Sequence, residues 1–598
     1  MKSLSYAAIF ILTLAACAPQ NDKTPRKDMP QSSKKMVIYQ LMTRLFGNLS
    51  SANKKYGTIE ENGVGKFNDI NSAALKGIKE LGVTHVWYTG ILEHATLTDY
   101  TAHGIQADDA DVVKGRAGSP YAVKDYYDVN PDLAVNVPER MREFENLVRR
   151  THEHGLKVII DFIPNHVARA YRSDAKPPGI TDLGEEDDVN VSFDPHNNFY
   201  YLPGESFTPP ADYKPLGALP HPAKDNKFRE TPAKATGNDE FNAAPDIHSW
   251  FETVKLNYGV DIRKNRTTHF QPIPSTWLKM RDILLFWANK DIDGFRCDMA
   301  EMVPVEFWEW VIPQIKSVKP DLIFVAEIYN PSQYRNYIAQ GKFDFLYDKV
   351  LLYDTLRLLM GGKRSTAEIH TLRQDMDGIN QHMLHFMENH DEQRIASRFF
   401  AGNPWKGLPA MVISATIDRG PILIYFGQEV GEPALGTEGF SPDDGRTSIF
   451  DYWGVPEHQK WMNDGKFDGG LLSDEQKQLR RSYAELLTFA SESKAIASGA
   501  YADITAHNIK AGNFSSLVHA FVRYHTAEKL LIINSFNDTD QRIKVQIPPE
   551  VLTAMGLDPN AVYIARDMLW REVEVGFDND HAFELRLKPF SSFIFKIK

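Results

Sequence analysis

The chain has 598 residues and a net charge of −12, which excludes a polyanion such as nucleic acid as its main partner. Apolar residues make up 42% and charged residues 24%, so a disordered or fibrous chain is excluded and the length fits roughly two to four domains. The only cysteines are Cys17 and Cys297, which excludes a disulfide-stapled scaffold and leaves the fold to its core.

At the amino terminus Lys2 precedes an apolar run from Ala7 to Leu14. That run is too short to span a bilayer and has the build of a secretory signal. Leu14-Ala-Ala-Cys17 resembles a bacterial lipobox, in which the cysteine becomes the lipidated first residue; a plain signal with a chance cysteine is the alternative. Residues 1–17 are read as this signal and residues 18–35, polar and proline-rich, as a flexible tether. The expected location is a bacterial membrane, on its periplasmic or outer face, with Cys17 as the lipid anchor. Protein partners are not indicated.

From Met36 the pattern is a short apolar strand, a loop and an amphipathic helix, repeated. Strands are predicted at Val37 to Leu41, Val83 to Tyr88, Leu156 to Phe162, Asp293 to Asp298, Leu322 to Glu327, Phe343 to Tyr347, Leu384 to Glu388 and Pro421 to Phe426. Helices are predicted at Asn71 to Leu81, Arg140 to His154, Thr276 to Asn289 and Val305 to Ile315. Alternating strand and helix implies a parallel sheet, and eight units imply a closed (β/α)8 TIM barrel, here in two segments, 36–165 and 259–494. The stretch 166–258 is rich in Pro, Gly and Asn without clear period, too long for an ordinary loop, and reads as a domain inserted after the third strand. Residues 495–598 alternate as strands separated by turns, the pattern of an antiparallel β-sandwich.

Active sites of such barrels form at the carboxyl ends of the strands. The third strand ends Asp161-Phe-Ile-Pro-Asn165-His166, the fourth Arg296-Cys-Asp298, the fifth in Glu327, and the seventh is followed by His390-Asp391. Positions i and i+2 of a strand share a face, so Arg296 lies beside Asp298 while Cys297 faces away as a buried strand residue. A guanidinium next to a carboxylate favours its ionised form, and an ionised, positioned carboxylate can act as a nucleophile. Such a pair serves structure as readily as chemistry, and the other strand ends weigh the choice toward chemistry.

The segments DFIPNH, GFRCDMAE, FVAEIY and FMENHD stand in the order and at about the spacing of the four sequence regions of the α-amylase family (glycoside hydrolase family 13), which the chain therefore resembles. GVTHVW, beginning at Gly82, and PILIYFGQEVG, beginning at Pro421, resemble its second- and eighth-strand regions, and Ser119-Pro-Tyr121 its aromatic loop. The resemblance implies Asp298 as nucleophile, Glu327 as acid/base and Asp391 as transition-state stabiliser. It implies sugar contacts from Arg296, His166, His390 and Tyr121; for Asp161 a sugar contact and a structural pairing with Arg296 stay equally open. Asn165 and Asp246 resemble positions that bind calcium in many amylases, though two donors are far from a full shell. Met299-Ala-Glu-Met follows Asp298 where many α-amylases carry a Lys-His pair, and Gly90 stands where a proline is usual. The implied activity is retaining hydrolysis of α-1,4-glucosidic bonds in starch-like glucans or maltodextrins. A transglycosylase of the same family is the alternative, and a non-catalytic glucan-binding lipoprotein the rival from another class.

Overall fold

Eight parallel strands, taken in sequence order around the ring, form the closed barrel of the computed structural model, which describes residues 34–210 and 221–598. They are β1 (Val37–Met42), β2 (His85–Thr89), β3 (Lys157–Phe162), β4 (Gly294–Cys297), β5 (Ile323–Ala326), β6 (Phe345–Tyr347), β7 (Met383–Phe386) and β8 (Ile422–Tyr425). β8 pairs with β1 from Val37↔Ile422 to Gln40↔Tyr425 and shuts the ring. A strand covered by helices outside and by its own barrel inside is buried on both faces, which is why β3 reads KVIIDF with everything after Lys157 buried. The eight predicted barrel strands are all present, with ends that differ from the expected ones by no more than two residues.

The helical layer follows the predicted periods. The helices Ser72–Lys79, Arg140–Glu153, Ser275–Ala288 and Val305–Val318 lie within a residue or a few of their expected bounds. Asn71 caps the first, its side chain accepting from Ala73 N and Ala74 N.

After β2 a hairpin of Leu92–His94 and Val123–Val129, absent from the sequence reading, climbs above the barrel. The stretch after β3 is built of short antiparallel ribbons: His166–Ala168 pairs with Thr253–Lys255, and Tyr201–Leu202 with Ala233–Lys234. Ribbons of two or three residues are too short to leave a period in the sequence. The expected signal and Cys17 lie outside the described residues. Of the expected tether Lys34 and Lys35 are described, and Lys35 is already fixed to the barrel: it is buried, its Nζ donates to Asp418 O at 2.6 Å and its N to Ser491 O.

The carboxyl-terminal region holds a six-stranded antiparallel sheet and a two-stranded sheet of Gln541–Gln546 with Ala582–Leu587. Two strands of the larger sheet, Ala500–Asp503 and Glu574–Gly576, were not in the sequence reading. On the strand Glu528–Ser535 side chains alternate between two cores. Leu530 and Ile532 pack with the barrel, Leu531 and Ile533 with the sandwich interior.

Candidate active site

The register of neighbouring strands assembles the site. Arg296 on β4 lies opposite Asp161 on β3, and Cys297 opposite Ala326 on β5. The ladder runs one step further, with Asp298 N donating to Phe162 O at 2.9 Å and Glu327 N to Cys297 O at 3.1 Å. Asp298 and Glu327 thus emerge side by side, each just past the end of its strand. Cys297 is buried and points away from them into the apolar layer.

Arg296 is the hub. Its Nη1 lies 2.6 Å from Asp298 Oδ1 and 3.4 Å from Asp161 Oδ1, and its Nη2 2.9 Å from Glu327 Oε2. Its Nε donates to Tyr347 Oη at 3.2 Å, and its plane lies over Trp87, Tyr121 and Tyr347 at 5.3–5.5 Å. Asp161 also accepts from Trp87 Nε1 at 3.0 Å, so both its oxygens are held by the barrel.

One guanidinium faces three buried carboxyls, and burial disfavours their charged forms. Burial pushes Asp161 up to about 7 despite Arg296 and the Trp87 hydrogen bond. Asp298 is likewise raised by burial, with Arg296 opposing. This differs from the expectation that Arg296 sets its ionisation: at this depth desolvation outweighs the ion pair. Glu327 is raised first by burial and further by the charge of Asp298, against the pull of Arg296.

Each oxygen of Glu327 has a distinct surrounding. Oε2 takes Arg296 and the backbone N–H of Met299 at 2.8 Å; Oε1 takes the hydroxyl of Tyr329 at 2.8 Å. Met299 adopts φ 42, a left-handed backbone that a side chain rarely takes, and this turn aims its N–H at Glu327. With the guanidinium charge and the Met299 N–H both at Oε2, a proton on this carboxyl belongs on Oε1.

His390 sits across from Arg296. Its Nε2 lies 2.6 Å from Tyr121 Oη and 3.1 Å from Asp391 Oδ2, and its Nδ1 2.8 Å from Gln40 Nε2. Gln40 Nε2 donates there, so Nδ1 accepts and Nε2 carries the hydrogen. Burial holds both His390 and His166 well below the usual histidine range, and both are neutral at pH 7. Tyr121 stacks on His390 with ring centroids 5.1 Å apart. Asp391 leaves 42% of its side chain open, and its carboxyl is pushed up by its surroundings and by the charges of Glu327 and Asp298. His166 stands on the first ribbon of the inserted stretch, 5.2 Å from the Trp250 ring.

The alpha-amylase catalytic domain, compared as a family, matches residues 53–452, two-thirds of the chain. The chain belongs to the alpha-amylase family. It is 24% identical over 447 residues to Alpha-amylase 3 of Dictyoglomus thermophilum, covering 70% of this chain and 74% of that one. It is 22% identical over 424 residues to Neopullulanase 2 of Thermoactinomyces vulgaris, covering 67% of this chain and 57% of that one. Among solved structures, the alpha-amylase from Geobacillus thermoleovorans complexed with acarbose superposes with a TM-score of 0.59 at 19% identity, over 96% of this chain and 99% of that one.

The calcium expected of this alpha-amylase-family chain at Asn165 and Asp246 does not fit its residues. Asn165 Oδ1 accepts from the ammonium of Lys255, and its Nδ2 donates to Gly237 O at 2.8 Å. Lys255 also reaches Asp239 Oδ1 at 2.7 Å and Met302 O at 3.2 Å, so a side-chain cation occupies the oxygen cage. Asp246 is exposed and folds onto its own turn, accepting from His248 N at 2.7 Å and Ser249 Oγ at 3.0 Å. A second positive charge beside a buried ammonium is repelled.

Gly90, which stands where a proline is usual, has φ 79, and its backbone N–H lowers the pKa of Asp161. Proline offers neither that φ nor an N–H. Arg446 reaches the rim from the loop after β8: its Nε donates to Asp391 O at 2.5 Å. Sequence reasoning missed Gln40, Tyr329, Tyr347 and Lys255. For Gln40 a signal existed, a lone amide inside the apolar run VIYQLM.

Proposed function

We propose that this is an exported, lipid-anchored enzyme that hydrolyses α-1,4-glucosidic bonds of starch-like glucans or maltodextrins with retention of configuration. The observation that carries it is Arg296 holding Asp298 and Glu327 together at the ends of adjacent strands. The two carboxyls are neighbours across one guanidinium, Asp298 on its Nη1 and Glu327 on its Nη2. Retaining glycosidases set their two carboxyls roughly 5–5.5 Å apart, whereas inverting ones leave about 6.5–9.5 Å for a water.

In this reading Asp298 attacks the anomeric carbon while Glu327 protonates the departing oxygen from Oε1, the oxygen free of Arg296. Glu327, now a carboxylate beside Arg296, takes a proton from the water that releases the sugar from Asp298. Burial raises the pKa of Glu327, which favours the protonated form that the first step requires. Asp391, open to the cleft, balances the positive charge of the flattening ring. Tyr121 and the N–H of His390 serve the sugar at the cleaved bond, with His166 on the opposite wall. That an alpha-amylase and a neopullulanase are among its relatives supports an α-glucan as the substrate. The anchor rests on the lipobox-like Leu14-Ala-Ala-Cys17.

The test is time-resolved product analysis on amylose, pullulan and maltodextrins, with the anomer of the first product read by NMR. The expected products are shorter glucans released first as the α-anomer. First release of the β-anomer, or no cleavage of any α-glucan, overturns the reading. For the anchor, Cys17→Ala should move the protein from the membrane to the soluble fraction of its host, and unchanged membrane association argues against lipidation.

A further inference from the structure

Glu93 stands on the short strand Leu92–His94, opposite Asp125 of Val123–Val129. It is 1% exposed, and neither of its carboxylate oxygens has a hydrogen-bond partner among the described residues. It aims at company of its own sign: ligand oxygens of Glu93, Asp125 and Asp174 all lie within 4.8 Å of one another. The nearby cations are engaged elsewhere, Lys124 on Asp108 at 3.0 Å and Arg140 on Asp128. Asp125 is fixed in place, accepting from Tyr127 N and Ser173 Oγ at 2.7 Å and from Asp174 N and Ala175 N at 2.9 Å. A carboxylate buried without donor or cation is costly, and proteins rarely leave one so.

We propose that Glu93, Asp125 and Asp174 bind a hard divalent cation of the calcium class. Their ligand oxygens lie close enough together for one ion, at calcium–oxygen distances of about 2.3–2.6 Å, to sit among all three. Magnesium, at about 2.0–2.1 Å with rigid octahedral demands, needs a tighter set. Asp174 is exposed and supplies the entry side, where water completes the shell. The ion ties the hairpin after β2 to the segment that leads into the inserted stretch, and Tyr121 lies four residues before Asp125 on the chain that enters this hairpin. The site is separate from the Asn165 cage, which Lys255 fills, and it is independent of the glucan-cleaving reading.

The experiment uses the whole exported chain, stripped with EDTA and dialysed, then titrated with calcium chloride or magnesium chloride. Unfolding temperature and calorimetric heat are the readouts. Wild type should bind one calcium ion and melt several degrees higher with it, with a weaker response to magnesium. Glu93→Gln, which keeps shape and removes charge, should lose that heat and that shift and melt at one temperature with or without calcium. Should Glu93→Gln fail to fold, Asp174→Asn at the exposed edge is the second probe, expected to weaken calcium binding tenfold or more with its EDTA-state melting unchanged. Wild type unmoved by millimolar calcium overturns the proposal. So does a Glu93→Gln protein that responds like wild type, or one more stable than calcium-loaded wild type, which would make Glu93 a protonated core acid.

Discussion

Two buried cations stand near each other in chain order and do opposite things. Lys255 meets one carboxylate, Asp239, and two neutral oxygens, from Asn165 and Met302. Arg266 shares Asp239 at 3.2 Å, so no carboxylate there is in surplus. Arg296 meets three carboxyls, Asp161, Asp298 and Glu327, and cannot neutralise them all. Burial raises all three, disfavouring their charged forms together. A cage without surplus acid is structure; one with surplus acid suits acid/base work.

The comparison breaks most sharply at Asp298. Asp298→Asn removes the surplus charge and the nucleophile together, and kcat should fall by about 10⁴-fold or more while maltodextrin affinity persists. Steady-state kinetics with calorimetric binding checks this, and turnover at wild-type rates would take Asp298 out of the mechanism. The Lys255 cage should respond in stability instead. Lys255→Met strips the ammonium from Asn165 Oδ1 and Met302 O while Asp239 keeps Arg266, for a loss of about 1–3 kcal/mol in denaturant unfolding. The pH dependence of whatever activity survives should not move; a shifted profile would mean that the two cages are electrostatically one.

The smallest effect sharpens the picture of Glu327. The Tyr329 hydroxyl donates to Oε1 and so favours the charged carboxylate, pulling its pKa down. Tyr329→Phe removes that pull, and the pKa rises further. Protonated Glu327 is the working acid, so activity is lost as pH climbs through its pKa. The alkaline limb of kcat/KM should therefore move to higher pH, by roughly 0.7 unit for a hydrogen bond of about 1 kcal/mol. An unmoved or acid-shifted limb would remove Tyr329 from this role.

How much of this was legible follows from the range of each signal. The barrel was readable because strands buried on both faces are continuous apolar runs, and β3 and β8 announce themselves. The clustered acids were readable because each ends such a run, and the family's motif order named them. The hairpin at Leu92–His94 was not, since three residues carry no period. Nor was the fate of the Asn165 position, because Lys255, Asp239 and Met302 come from three segments whose meeting only the fold decides. Tyr329 reads like any aromatic after a strand, and its hydroxyl's choice of Oε1 depends on the turn at Met299. Relative weights misled too: adjacency of Arg296 and Asp298 is visible in sequence, whereas the depth at which they sit, which decides the protonation, is not.

The alternating strand Glu528–Ser535 carries a lesson for anyone trimming the molecule. Leu530 and Ile532 on one side plug the underside of the catalytic half, while Leu531 and Ile533 on the other seal the appendage. A truncation that stops before this strand would leave greasy holes in the barrel it was meant to preserve, and the expected product is an insoluble protein. A soluble, active fragment would show that the appendage is merely a passenger.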